Sequence, residues 1–247
     1  MLVPPLDKFQ TLFETTFEME RTETHGTDLT ATEGGPTRER LIEVAERLFA
    51  ERGFAATSVR HITAEAGCNL AAVNYHFGGK DQLYEEVFRR RLEATREQRL
   101  ASIRQTVAEA GGSPSLEALL CSFATAFLEP FMTTSEGRQW HRLMRRELHE
   151  PHLPQGMFVG GIITPVYEEL AEALVRVCPG LDLETARYCT YSVVGQLIQL
   201  LRVERYAQEA GFGRASKISL PELIDHVVLF SAAGVRVAAA PRTEARG

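Results

Sequence analysis

The stretch 57–80, TSVRHITAEAGCNLAAVNYHFGGK, constrains the fold more than any other part of this chain. Its local chemistry predicts two short helices joined by a tight turn. Thr57 is a good N-cap, and Val59, Ile62 and Ala66 fall on one face of the helix that follows. Gly67 supplies the left-handed residue that ends it. Asn69 is the next N-cap, for a second helix over 70–77 whose inward face needs only Val73 and Phe77. Leu70, Ala71, Asn74 and Tyr75 then form an outward strip, with His76 and Lys80 just beyond. Small residues, one amide and a rim of phosphate-reaching groups suit the major groove of DNA. The pattern fits a helix-turn-helix, and local spacing alone leaves open an ordinary helical hairpin inside a bundle.

The run G-C-N-L-A-A-V-N-Y-H-F-G-G-K, residues 67–80, favours the first. It resembles the signature of the TetR family of bacterial transcriptional regulators, in which an aromatic-His/Tyr-Phe triplet closes the recognition helix and a Lys soon after opens the next. The preceding T-R-E-R-L-I-E-V-A-E-R-L-F-A-E-R-G-F-A-A-T-S-V-R-H-I, 37–62, resembles that family's first helix and its entry into the second. The resemblance runs without gaps over roughly 37–90 and implies a homodimer on double-stranded operator DNA. Phosphate contacts from Thr57, Tyr75, His76 and Lys80 are expected on chemistry and on resemblance alike. Ser58, Arg60 and Asn69 complete the expected DNA-binding set. Asn74 stands where many members carry a Tyr, so the base preference does not carry over. By chemistry alone, Asn74 suits adenine N6 and N7, and Leu70 and Ala71 suit thymine methyl groups.

A net charge of −6 looks wrong for a DNA-binding chain until it is divided. Residues 37–100 hold 11 Lys and Arg against 10 Asp and Glu, leaving 16 basic and 23 acidic residues elsewhere. The acid therefore lies mostly outside the reading head, as expected where a binding module is joined to a separate regulatory body. Apolar and charged contents of 44% and 24% over 247 residues are ordinary for a soluble globular protein with a sizeable core. No apolar run nears the length of a membrane span, and no secretory signal opens the chain. A cytoplasmic location without membrane contact is expected. Cys68, Cys121, Cys178 and Cys189 lack metal or redox spacing and read as small buried hydrophobes.

Residues 1–36 carry 2 basic and 7 acidic residues and a Gly- and Thr-rich stretch. They read as a disordered extension or as the product of an upstream start. The first strong helix is expected at 37–52, with Leu41, Ile42, Val44, Ala45, Leu48 and Phe49 inward and Gly53 as its stop. Residues 80–109 form one or two long helices with Leu83, Tyr84, Val87, Phe88 and Leu92 inward, and Arg89, Arg90 and Arg91 read as a solvated face. Gly111 to Pro114 break the chain. Helices follow at 116–132 and 136–149. Another begins either at the pair Thr164 and Pro165 or earlier with a kink, and ends at Cys178. A helix capped by Asp182 runs to about 210, and Ser219 with Glu222 forms a capping box for the last.

The fold expected is all-α: a three-helix DNA-binding domain at 37–85, a helical ligand-binding and dimerisation domain at 86–240, and a tail at 241–247. Within the body, R-L-M-R-R-E-L-H-E-P at 142–151 and G-Q-L-I-Q-L-L-R-V-E-R at 195–205 resemble the sensing domain of CecR-like members of the family. That implies an effector pocket and a dimer built on the last two helices. Phe127, Phe131, Trp140, Met144, Phe158, Tyr167 and Tyr191 are the expected pocket walls, with His141, Arg145, Glu147 and Gln196 as orienting groups. The excess of arginine on that helix favours an aromatic or amphipathic effector, neutral or anionic, over a cation. Val193, Leu197, Leu201, Val227 and Phe230 are the expected dimer contacts, beside Val194, Ile198, Leu229 and Val235 on the same stripes. His141, Glu147, His149, Glu150 and His152 lack the spacing of a metal site, and arginines interleave them, so no metal and no cofactor is expected. Nucleophile–base spacing, a phosphate-binding Gly loop and paired carboxylates in an apolar frame are missing, which argues against an enzyme. The chain reads as an effector-released repressor. Activation or a dual role remains open, as does a helical interaction protein that has lost DNA binding.

Overall fold

A computed structural model describes residues 35–154, 156–209 and 219–240. The expected disorder before residue 35 and the tail at 241–247 lie outside them. Pro36–Arg52 (α1), Val59–Glu65 (α2) and Ala71–Phe77 (α3) form the head, followed by Lys80–Glu109 (α4). Leu116–Thr133 (α5) and Ser135–His149 (α6) come next. A π-helical turn, Val159–Ile163, then runs into Thr164–Val177 (α7), before Leu183–Glu209 (α8) and Leu220–Ala239 (α9). No strand occurs among the described residues, and the architecture is all-helical.

The apolar stripe of α1 buries Leu41, Ile42, Ala45, Leu48 and Phe49, and the Gly53 amide closes the helix on the Phe49 carbonyl at 2.9 Å. Between α2 and α3 the chain reverses at Gly67 (φ +62°), a conformation that a side chain disfavours. The segment 80–109 is one helix. Its inner stripe extends past Leu92 to Leu100 and Ile103, and Arg99 lies on it. Arg89, Arg90 and Arg91 are not a merely solvated face. They pair with Glu86, Glu39 and Glu46 respectively, and the last two tie α4 to α1. Glu39 and Glu46 are far away in sequence, so local pattern could not show those two pairs.

Helix α5 has the length and hydropathy of a membrane span, contrary to expectation. Its Leu119, Leu120, Phe123 and Leu128 are fully buried in the protein core, each stabilising the fold by roughly 1.5–3 kcal/mol. Core burial is therefore enough to explain the composition. At the α5–α6 corner a Cβ on Gly137 would lie 1.8 Å from the Pro130 carbonyl oxygen, so only glycine lets the two helices meet. Thr164 is not an N-cap. It already has helical dihedrals, and its amide reaches back to the Val159 carbonyl as the π turn passes into α7. Asp182 does cap α8, accepting from the Thr185 amide at 2.9 Å, and Ser219 and Glu222 form the capping box of α9. Cys121 is exposed rather than buried, and all four thiols are free.

Helix α6 joins head to body. Arg146 donates to the carbonyls of Ala50 and Glu51 at 3.1 and 2.8 Å, taking up acceptors that the end of α1 leaves open. Glu46, buried on α1, accepts from Arg91 at 2.7 Å and from Gln139 at 3.1 Å. Glu147 is also buried, and accepts from the Tyr84 hydroxyl at 3.0 Å and from the His152 and Leu153 amides at 2.8 Å each. Burial and the neighbouring carboxylate push the Tyr84 hydroxyl far above its ordinary pKa, so it remains a donor throughout the physiological range. Replacing Glu147 by Ala would strand the buried Tyr84 hydroxyl and two partly buried amides. Thermal unfolding of Glu147→Ala should show a loss of about 2–3 kcal/mol, a drop of roughly 5–10 °C in Tm, with a smaller loss for Glu147→Gln. An unchanged Tm in Glu147→Ala would contradict the clamp.

Candidate functional site

The N-cap of α2 is Ser58, not Thr57. Its exposed hydroxyl accepts from the His61 amide at 3.2 Å. Thr57 is 0% exposed and donates to the Gly53 and Leu48 carbonyls at 2.8 and 3.2 Å. Its side chain fastens the end of α1 to the start of α2 and is not available to a phosphate, so that assignment is corrected. Asn69 starts α3 through its side chain, which accepts from the Ala71 amide at 3.0 Å, although helical hydrogen bonding begins one residue later than expected.

On α3 the division of faces is as expected. Val73 is buried and Phe77 is half-buried beneath the Arg38 guanidinium, 5.3 Å from the ring centre. Leu70, Ala71, Asn74 and Tyr75 are outward, and Tyr75 is 85% exposed with His76 set edge-on against it. Arg60 is exposed on α2. Lys80 opens α4 with its ammonium 4.0 Å from the centre of the Phe54 ring, and partial burial lowers its pKa despite the opposing Asp81. Apart from Thr57, the expected DNA set is at least partly accessible.

The expected effector set divides. Toward the head, Phe88 meets Trp140 and Phe158 edge-on, at ring distances of 5.2 and 5.8 Å. Deeper in the body, Phe127 and Phe131 are buried, Tyr167 packs on Tyr191, and His141 lies against Phe131. Met144 is half-buried on α6, one turn after Trp140. Of the four orienting groups, His141 alone is placed against one of these rings, and the other three serve elsewhere. Arg145 is exposed on the opposite side of α6 from Trp140 and Leu143. The carboxylate of Glu147 is taken up by the clamp. Gln196 donates to Ser231 at 3.2 Å, fastening α8 to α9. Reading α6 as an isolated surface could not reveal that Arg146 and Glu147 face the head.

Arg99 was missed, although the sequence held a signal. It falls two turns beyond Leu92 and one turn before Ile103, on the apolar stripe of α4. Its guanidinium sits 3.7 Å from the centre of the Phe127 ring. The dimer set also needs correction. Val193, Leu197, Leu201 and Val227 are buried within the protomer, as are Val194 and Val235, and Ile198 is half-buried. Phe230 and Leu229, both on the expected stripe, are outward, and so are Val237 and Tyr188. Leu229 and Phe230 are 75% and 64% exposed. Near them a groove of about 870 Å³ opens between α8 and α9, lined by Tyr188, Gln196, Phe230 and Val235 among others. Among the described residues no cluster of metal-ligating side chains occurs.

The sequence profile of bacterial regulatory proteins of the tetR family matches residues 41–87, and that of the tetracyclin repressor-like C-terminal domain matches 123–234. The chain belongs to the TetR family. The HTH-type transcriptional repressor KstR2 of Mycolicibacterium smegmatis is 42% identical over 52 residues, 21% of this chain and 25% of that protein. The repressor Rv3405c of Mycobacterium tuberculosis is 54% identical over 43 residues, 17% and 23% of the two chains. Such matches span about a quarter of each relative's length. FadR of Bacillus subtilis, solved with stearoyl-CoA, shares the fold with a TM-score of 0.58 at 15% identity, over 79% of this chain and 98% of that one. A Saccharomonospora viridis protein solved with choline gives 0.58 at 19%, over 78% and 94%. These structural likenesses extend the shared fold through the body of this TetR-family chain.

The buried position of Thr57 separates a turn lock from a phosphate contact. Thr57→Val should lower stability by about 1–2 kcal/mol in thermal unfolding. The slope of log affinity against log salt should stay unchanged for any DNA the protein binds. A slope smaller by one charge would restore the phosphate role.

Proposed function

We propose that this TetR-family protein is a homodimeric transcriptional repressor, which occupies a palindromic operator and is released by a small-molecule effector. The observation that carries the reading is the outward strip Leu70, Ala71, Asn74 and Tyr75 on α3, backed by a buried Val73. Two such helices in a two-fold dimer would enter successive major grooves about 34–36 Å apart. Asn74 reads a base, while Ser58, Arg60, Tyr75, His76 and Lys80 hold the backbone. The names of KstR2 and Rv3405c as repressors support the sign of regulation. The reading divides the chain near residue 85 by function, with a cytoplasmic body from there to 240, even though α4 runs unbroken through that point. The runs at 142–151 and 195–205 support a CecR-like body, a finer placement that we hold as part of this proposal.

The dimer forms through the outer faces of α8 and α9, where Tyr188, Leu229, Phe230 and Val237 present apolar surface that the described residues leave exposed. The effector lies among Trp140, Phe158, Phe127, Phe131 and Tyr167. It acts by favouring a protomer conformation in which the two heads are wrongly spaced, and it shifts that equilibrium only by its difference in affinity for the two forms. FadR holding stearoyl-CoA and the Saccharomonospora viridis protein holding choline support small-molecule occupancy of such a scaffold. They do not agree on the charge of the occupant.

An operator selected from random DNA provides the test. Asn74→Ala should cost about 1–3 kcal/mol at one base pair and relax specificity there, whereas Lys80→Ala should weaken all sequences and reduce the salt slope by about one. Equal weakening of operator and random DNA by Asn74→Ala would remove it from base reading. Phe230→Glu should yield folded monomers by light scattering that bind the operator poorly, while Leu197→Glu should fail to fold. A monomeric wild type at micromolar concentration would contradict the dimer. Compounds that stabilise the protein in a thermal-shift screen should include one that releases the operator and alters the emission of Trp140, the chain's single tryptophan.

A further inference from the structure

Arg99 is a cation where a cation does not belong. It lies on the inner stripe of α4 and is 8% exposed, and its Nε has no hydrogen-bond partner. Among the described residues no carboxylate faces it. The titratable group near enough to act on it is Tyr167, whose hydroxyl burial pushes up to about 12, so Tyr167 supplies no negative charge at neutral pH. Burial pushes the guanidinium down to about 10, still charged at pH 7. The Phe127 ring beneath it is a partial counter-charge, weaker than the carboxylate or phosphate that a buried arginine ordinarily requires. Every other arginine that joins two helices near the head has a carboxylate or carbonyl acceptor, as Arg91 and Arg146 do. Among the described residues, Arg99 is the arginine with a buried, unpartnered guanidinium nitrogen.

We propose that Arg99 receives the anionic group of the effector, an organic carboxylate with an apolar body. This rests on the effector-released reading above and names the chemical class of the effector. The walls fit such a molecule. Tyr167 beside Arg99 offers a neutral hydroxyl donor, and Phe127 holds the guanidinium plane in place. From there toward the head the same face of α4 presents Leu92 and then Phe88, with Trp140 and Phe158 packed around Phe88. Eleven residues of helix separate Arg99 from Phe88, a path of roughly 16 Å. Trp140 Nε1, at the far end, is a second buried donor with no acceptor. Beside Leu92 a groove of about 210 Å³ opens to the surface between Arg96 and the π-helical turn, lined by Met157 and Gly161, and on this proposal the effector enters there past Leu92. A carboxylate on Arg99 thus extends its apolar body toward Trp140 on α6, the helix that clamps the head.

Binding of four probes to the full-length protein tests this by calorimetry and thermal shift: decanoate and 2-naphthoate, each against its neutral amide. In wild type each carboxylate should bind at least about tenfold more tightly than its amide, the gain expected of a charge-assisted bidentate contact. Arg99→Met, close in shape and uncharged, should abolish that preference while leaving amide affinity within about twofold. Arg99→Lys should keep part of it, and it remains informative if the Met variant is insoluble. Removing an uncompensated buried charge should also raise the Tm of the ligand-free Met variant by a few degrees. Equal affinity for acid and amide, a preference that survives in Arg99→Met, or a fall in its Tm would each overturn the proposal. Failure of all four probes to bind would overturn it too. The effector-released reading would still stand if an uncharged or cationic compound freed the operator.

Discussion

The buried carboxylate of Glu147 is the interaction on which the arrangement of head and body depends. One oxygen accepts from the Tyr84 hydroxyl on α4, and the other from two successive amides of the turn after α6. A buried carboxylate is costly unless its lone pairs are filled, and here three donors fill them. That requirement fixes the height of α6 against α4 and folds the 151–154 turn back beneath the head. His152 in that turn lies on the Phe54 ring at 4.4 Å, and Phe54 in turn carries Lys80. The expected phosphate contact at Lys80 is thus held by the same stack that closes over Glu147.

Helix α6 consequently has two kinds of neighbour. Gln139 and Arg146 bind α1, and Glu147 binds α4, while Trp140 and Leu143 enter the apolar interior. A ligand that moves Trp140 by a fraction of a turn cannot leave the Arg146 and Glu147 contacts undisturbed, because all three side chains share one rigid backbone. Packed interiors resist gradual deformation and move between discrete arrangements. The coupling proposed between effector and operator requires no longer path than this one helix.

The head was legible in the sequence because its signals are local. Gly67, Asn69 and the Val73–Phe77 spacing report on residues within one or two turns, and all appear in the structure nearly as expected. The body was legible as helices and not as a site. Arg145, Glu147 and Gln196 are polar residues on amphipathic helices, and no periodicity says whether such a residue faces a ligand, the head or a neighbouring helix. The same ambiguity misplaced Leu197 and Val227, whose apolar stripes serve the protomer core, while the exposed Val237 was left outside the expected stripes. Thr57 failed for a different reason. A Thr beside a Ser offers two candidate caps, and the tight Gly53 turn decided between them by burying the first.

Amide hydrogen exchange, with and without the selected operator, tests the central claim that α6 makes head and body one cooperative unit. Coupling between sites is reciprocal, so DNA bound at α3 must stabilise the elements through which an effector would act. Slower exchange is predicted on operator binding for residues 140–147 and for the His152 and Leu153 amides, none of which lies on the reading face. Protection confined to residues 57–80, with α6 and its turn exchanging as in the free protein, would contradict the account.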